Sequence, residues 1–282
     1  MSGDFAPTTK IGKLRAVLLD LLREHEADRA LPTSARFLYY ELVQRKQLSK
    51  KKTGARRPDQ DLHDALTDIR ESGQVPWDWI VDETRSLDAY TGYASVHDGV
   101  LERLPYIRLN CWRGRAPMIL TESRSLAGVL REIVREYGCL IASTNGQCGG
   151  FLHTDIAPRL QPGDTVLYLG DLDLSGDQIE ANTRRVLEQA VGGPLQWERL
   201  ALTREQVREH DLPTITKRDR RYTDGRPHEA VETEALRQTV LTAILRDRLD
   251  ELLPEPLQRV QERERRQQRR IAALLRHPRR RR

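Results

Sequence analysis

Three carboxylates stand where chemistry is commonly done. Glu122 closes the apolar run PMILTE, and Asp171 and Asp173 close TVLYLGDLD, so each lies at the end of a predicted strand. Residues two apart in an extended chain point the same way, which lets Asp171 and Asp173 share one face. Together with Glu122 they would form a cluster that is unfavourable unless protonation or a divalent cation relieves it. Hard oxygen donors favour Mg2+ over zinc. Ser175-Gly176-Asp177 follows at once and leads into a predicted helix, whose N-terminus can receive a phosphate. The same positions also suit plain helix caps, with Glu122 before Ser123-Arg124-Ser125 and Asp173 before Ser175-Gly176-Asp177, and spacing alone leaves both roles open. A separate run, Arg45 to Arg57, holds seven basic residues and no acid. Its Lys50, Lys51, Lys52, Arg56 and Arg57 read either as contacts to DNA phosphates or as a solvated loop.

The elements that must position these groups fall into two rhythms. In residues 11–25, Ile11, Leu14, Val17, Leu18, Leu21 and Leu22 make one apolar helical face. Pro32-Thr33-Ser34 supplies a stop and a cap, and SARFLYYELVQR follows as a second helix. A third begins at Pro58, turns Leu62, Ala65, Leu66 and Ile69 inward and closes at Gly73. VPWDWIVDETR alternates apolar and polar residues, which predicts a strand or short hairpin carrying Trp77 and Trp79. Three helices followed by a β segment is the order of a winged-helix domain, whose third helix commonly enters the DNA major groove. From Pro117 onward strands and helices alternate. That pattern predicts a parallel sheet flanked by helices, with ligands at the carboxyl ends of its strands. Trp197 to Leu202 adds a further strand, and residues 229–276 read as helices interrupted by Pro254 and Pro256.

Composition bounds the rest. The 282 residues carry 47 Lys+Arg against 42 Asp+Glu, a net charge of +5. Eleven Arg and two Glu between Gln258 and Arg282 make a local +9, which leaves −4 for residues 1–257. The basic character therefore belongs to one segment, and the body must be argued separately. An apolar content of 38% is enough for a core. No window approaches the ~18 to 20 apolar residues that cross a bilayer, and MSGDFAPTTK has no apolar signal region. Cys111, Cys139 and Cys148 are odd in number and lack CxxC spacing, so neither a disulfide framework nor a zinc site is indicated. The expectation is a soluble, cytoplasmic, nucleoid-associated protein without a membrane partner.

The strand-terminal Glu122, the Asn145-Gly146-Gln147 turn and Gly170-Asp171-Leu172-Asp173-Leu174-Ser175-Gly176 resemble a Toprim domain, the magnesium-binding fold of topoisomerases, primases and certain nucleases. Upstream, Arg36-Phe37-Leu38-Tyr39-Tyr40 is similar to the Arg-x-x-Tyr/Phe-Tyr motif in the A subunit of topoisomerase VI and the meiotic double-strand-break protein. The resemblance spans roughly residues 30–250 and is strongest in these two blocks. It implies an α/β chain with a winged-helix-like domain over 1–105, a Toprim domain with helical extension over 106–257, and a basic helical or disordered tail over 258–282. Two positions depart from the family pattern. Leu174 stands where a proline is usual, and Gly146-Gln147-Cys148 replaces Gly-Gln-Pro. Neither change removes an acid.

In that family the second aromatic position attacks DNA and becomes linked to its 5′ end, which maps onto Tyr40. Arg36 lies one helical turn away, where its guanidinium could hold the attacked phosphate. As an aromatic on an amphipathic helix, Tyr40 equally suits packing. The resemblance implies catalysis by Tyr40, Arg36 and Glu122, Mg2+ on Glu122, Asp171 and Asp173, double-stranded DNA as substrate, and a homodimer. No Gly-rich ATP-binding region is present in the sequence, so strand passage would need a separate ATPase B-type subunit. Two rivals use the same fold: a hydrolytic Toprim nuclease of a defence or mobile-element system, and a non-catalytic DNA-binding protein. A helper for the poorly acidic phenol is not identified, and His153 and Lys50 read equally as surface groups. Glu232 and Glu234 resemble an acidic block that follows Toprim in relatives, but they also read as the acid-rich start of a helix and stay outside the expected site.

Overall fold

A computed structural model describes residues 10–49, 59–81, 92–146, 149–217 and 228–276. The first helices build their own core. α1 (Lys10–Ala27), α2 (Ala35–Gln44) and α3 (Gln60–Glu71) meet through Leu14, Leu18, Leu21 and Leu22, Leu38 and Leu42, and Leu62, Leu66 and Ile69. A two-residue strand, β1 (Thr33–Ser34), precedes α2, and the Ser34 hydroxyl caps the helix by accepting from the Phe37 N–H at 3.3 Å.

The expected strand or hairpin around Trp77 and Trp79 takes another form. Trp77–Trp79 is a 3-10 turn, followed by β2 (Ile80–Val81), which pairs in parallel with β1. Pro76 sets the turn at φ −59°, and the Arg70 guanidinium both lies 4.1 Å over the Trp77 ring and donates to the Trp77 carbonyl at 2.9 Å. The alternation of apolar residues here reflects Trp79 packing inward from a turn rather than a two-faced strand. Residues 82–85, the remainder of that segment, lie outside the described residues.

After α4 (Val96–Arg103) the chain enters the sheet: β3 (Met118–Thr121), α5 (Arg124–Glu136), β4 (Leu140–Ser143), α6 (Gly149–Phe151), β5 (Thr165–Leu169), α7 (Leu174–Val191) and β6 (Gln196–Ala201). α6 runs on into irregular helical turns over 152–159. All four strands are parallel, in the order β4-β3-β5-β6. Period-two alternation gives the sheet two buried faces. Ile119, Leu167 and Leu169 meet Leu126, Leu130 and Ile133 of α5, while Met118, Leu120, Val166 and Tyr168 meet Val186 and Leu187 of α7. The chain therefore winds outward in both directions from β3 and β5, with α5 on one face and α7 on the other. The carboxyl ends of these two central strands form the switch point where open α/β sheets bind ligands.

The remainder closes over that edge. α8 (Arg204–Glu209) is followed by β7 (Ile215–Lys217) and β8 (His228–Ala230), an antiparallel pair, then α9 (Gln238–Leu252) and α10 (Leu257–Arg276). The expected helix from residue 229 thus begins only at Gln238. Before it, Val231 forms an antiparallel bridge with Leu172, exchanging N–H to O bonds of 2.9 and 3.1 Å, and Thr233–Ala235 is a 3-10 turn. A tertiary partner, the loop after β5, overrides the local helical pattern. α9 and α10 then pack on the α5 face, where Leu241, Leu245, Leu249, Leu257 and Val260 join the larger core. Among the described residues no helix is long and apolar enough to cross a membrane.

Candidate functional site

α2 has two faces, and this is how the N-terminal helices reach the sheet. Leu38 and Leu42 turn toward α1 and α3, whereas Phe37 and Tyr40 enter the sheet core with α9. Two amide side chains fasten the junction. Gln44 donates to the Ala235 carbonyl at 2.6 Å, and Gln238 donates to the Ala30 and Pro32 carbonyls at 2.7 and 3.0 Å. Arg36 and Tyr40 therefore face the 3-10 turn 233–235, which in turn lies against the carboxyl ends of β3 and β5.

At the base of the site, Thr121 and Leu169 are register partners on adjacent strands, so Glu122 and Asp171 emerge side by side. The Glu122 N–H donates to the Leu169 carbonyl at 2.9 Å, and its Oε2 accepts the Asp171 N–H at 3.0 Å. Asp171 turns its carboxylate toward Thr233, whose N–H and hydroxyl both donate to Oδ1, at 2.8 and 3.0 Å. Asp173 is the N-cap of α7 and accepts the Gly176 N–H at 2.8 Å, the capping role that spacing allowed. A Cβ at Gly176 would collide with the Asp171 carbonyl oxygen and lie 3.3 Å from Glu122 Oε2. Only glycine lets α7 start this close to both acids. Behind them, Arg199 on β6 donates to the Gly170 and Asp171 carbonyls at 3.1 and 2.5 Å and pairs with Glu180 of α7.

Above this base sit two acids that strand-end reasoning left out. Glu232 Oε2 accepts from both the Tyr40 hydroxyl and the Arg36 guanidinium, the latter at 2.7 Å. Glu234 has no solvent exposure; its Oε1 receives the Ser123 and Ser125 hydroxyls at 2.6 and 2.8 Å and pairs with Arg36 Nε at 3.1 Å. These residues are not the start of α9. Glu232 and Glu234 flank Thr233, the residue that holds Asp171, in the extended-to-turn stretch that the Leu172–Val231 bridge draws in. Their signal in the sequence was the Glu-Thr-Glu alternation after an apolar Ala-Val pair, a β-like spacing before the helical one.

The electrostatics follow from this crowding. Burial, then the neighbouring Glu234 and Glu122, push Asp171 up to about 7. Burial likewise raises Glu122. Tyr40, 4% exposed, is held well above the usual phenol value by burial and by its bond to Glu232. Burial works against the charge on Arg36, but Glu234 and Glu232 outweigh it and its pKa is raised. Compared with family models, curated proteins and solved structures, the chain matches none.

The structure therefore brings Arg36, Tyr40, Glu122 and Asp171 to one place and adds Glu232 and Glu234. Lys50, Lys51, Lys52, Arg56 and Arg57 lie outside the described residues, as do Gln147 and Cys148. His153 is exposed in the irregular helix after α6, on the α7 side of the sheet. Among the described residues no three His, Cys, Asp or Glu side chains already converge as a ligand set. The donor chemistry nevertheless fits a hard divalent cation: the side chains are carboxylates, two of them are raised toward the neutral form, and one buried oxygen, Glu234 Oε2, has no hydrogen-bond partner among the described residues.

Proposed function

We propose that this chain is a Mg2+-dependent DNA-cleaving enzyme built as a winged-helix-like unit followed by a Toprim domain. The observation that carries the reading is the meeting of Tyr40 and Arg36 with Glu232, one residue from the Thr233 that holds Asp171, at the switch point of a doubly wound sheet. Such a place combines a hydroxyl, a guanidinium suited to phosphate and neighbouring acids, which together favour phosphoryl transfer over acyl or hydride chemistry.

In this mechanism the Tyr40 oxygen attacks a DNA phosphorus, its proton passes to the Glu232 carboxylate that accepts its hydrogen bond, and the bond to the 3′ oxygen breaks, giving a 5′-phosphotyrosyl link and, once that oxygen takes up a proton, a 3′ hydroxyl. Arg36 steadies the phosphate through its planar donors. Glu122, Asp171 and Asp173 would hold the cation, which when bound supplies charge neutralisation at the phosphate and the leaving oxygen. Gly176 keeps the start of α7 close enough for Asp173 to share the site. Double-stranded DNA is the substrate, a homodimer gives paired cuts, and any ATP-dependent strand passage falls to a separate ATPase B-type subunit.

One observation favours a second reading, hydrolysis by water. Tyr40 is almost fully buried, and its hydroxyl is already bonded to Glu232. In that reading Tyr40 is a packing residue that positions Glu232. Tyr40→Phe separates the two on supercoiled DNA with magnesium. Tyrosine attack predicts loss of cutting and of the detergent-trapped protein–DNA adduct, whereas hydrolysis predicts cutting at the native rate with no adduct from either protein. Asp171→Ala abolishes cleavage in both; cutting that survives it would remove the whole assignment.

A further inference from the structure

We infer that Glu234 is a further ligand of the divalent cation, joining Glu122 and Asp171 through the carboxylate oxygen that has no hydrogen-bond partner among the described residues. The inference rests on the reading of the acid cluster as a cation site and goes beyond it by recruiting a residue from the segment that closes the sheet edge.

The argument starts from burial. A carboxylate with no solvent exposure needs compensation for both oxygens, because an ionised group cut off from water is costly unless paired and hydrogen-bonded. Glu234 Oε1 is amply satisfied, by Ser123, Ser125 and Arg36, yet Oε2 is buried and has no hydrogen-bond partner among the described residues. Unsatisfied buried polar atoms are rare enough that each calls for a cause. Its location supplies one. Ser123, which grips Glu234, directly follows Glu122, and Thr233, which grips Asp171, directly precedes Glu234. The open oxygen thus belongs to a carboxylate held by the residue after one acid of the switch point and joined along the chain to the residue that grips the other.

Charge balance points the same way. Glu122, Asp171, Asp173, Glu232 and Glu234 face Arg36 and Arg199, and Arg199 is already shared with Glu180 and Asp177. Negative charge therefore exceeds positive by more than one unit around a partly buried site, which suits a divalent rather than a monovalent cation. The protein's own alternative is Arg36, which holds Glu234 and Glu232 at once. Arg36 and the cation then compete for the same carboxylate, so they shift each other's hold on it in opposite directions.

That competition gives the test. Mn2+ binding to the full chain is followed by electron paramagnetic resonance without DNA, so the readout does not depend on cleavage. Glu234→Gln, which keeps the shape and the serine contacts, is expected to weaken Mn2+ by about 10-fold or more. Arg36→Met, which frees Glu234, is expected to tighten it. Were Glu234 only an anchor for Arg36, both variants would move affinity the same way, and that result overturns the inference. So does native affinity in Glu234→Gln alongside loss in Asp171→Asn. Should the glutamine variant fail to fold by circular dichroism, Arg36→Met still decides, since weaker or unchanged binding there contradicts competition. If the native chain takes up no Mn2+, or Asp171→Asn binds it as the native chain does, the cation site itself is wrong and the inference falls with it.

Discussion

Asp171 is raised to about 7 from an ordinary 3.8, chiefly by burial and then by Glu234 and Glu122. The sign of its effect on stability follows from linkage. Well below pH 3.8 the group is protonated in both the folded and unfolded chains. As pH rises toward 7 the unfolded chain releases the proton while the folded chain retains it, so stability falls through that window and levels off above it. Glu122, also raised, adds to the same slope. Urea midpoints of the cation-free protein should therefore decline from pH 4.5 to 7.5, and Asp171→Asn should remove much of the decline; equal slopes in the two proteins would refute the burial of a shared negative charge. Gly176→Ala tests the neighbouring constraint, since a Cβ would press on the Asp171 carbonyl and approach Glu122. It should cost about 1 to 3 kcal/mol in denaturation. These base residues were legible beforehand, because strand ends and a following Ser-Gly-Asp mark them in the chain itself. Glu232 and Glu234 were not, since their place depends on a partner some 60 residues earlier, the loop that Leu172 belongs to.

At the scale of elements, the site depends on two pieces of chain being carried to the sheet edge. α2 arrives through its apolar split, with Leu38 and Leu42 on one side and Phe37 and Tyr40 on the other. That division is visible in the sequence as two offset helical spacings, although which set meets which core is not. The segment 231–235 arrives through backbone pairing, and side-chain pattern gives no hint of a bridge only one residue wide. Val231→Pro isolates this contribution, because it removes the N–H that donates to the Leu172 carbonyl at 3.1 Å. Its expected cost is about 1 to 3 kcal/mol in urea denaturation, the range for leaving a buried acceptor unpaired. A second consequence is specific to the site: Thr233 loses its hold on Asp171, and Mn2+ affinity falls with it. Unchanged affinity in a correctly folded Val231→Pro variant would show that the bridge serves stability alone.

Over the whole molecule, charge is divided between a body of −4 and a segment of +9, and the structure shows how residues 258–276 of that segment are held. Glu264, lost among arginines in the sequence, is buried; it pairs with Arg108 at 2.7 Å and accepts the Leu109 N–H at 2.8 Å, while Gln268 reaches the Ile107 carbonyl at 2.8 Å. With Leu257 and Val260 in the core, one side of α10 is fixed, and Arg266, Arg269 and Arg270 stay exposed. A row of guanidinium groups on a docked helix attracts phosphate without reading sequence, and each contact releases condensed counterions. Replacing Arg266, Arg269 and Arg270 together with Ser should therefore lower the slope of log affinity for duplex DNA against log salt by about 2 to 3. Because all three lie away from Glu122, Asp171 and Glu234, the urea midpoint and Mn2+ affinity should not change. An unaltered salt slope would place any duplex contact off α10, whereas a fall in Mn2+ affinity would link α10 to the acid cluster and contradict their separation along the chain.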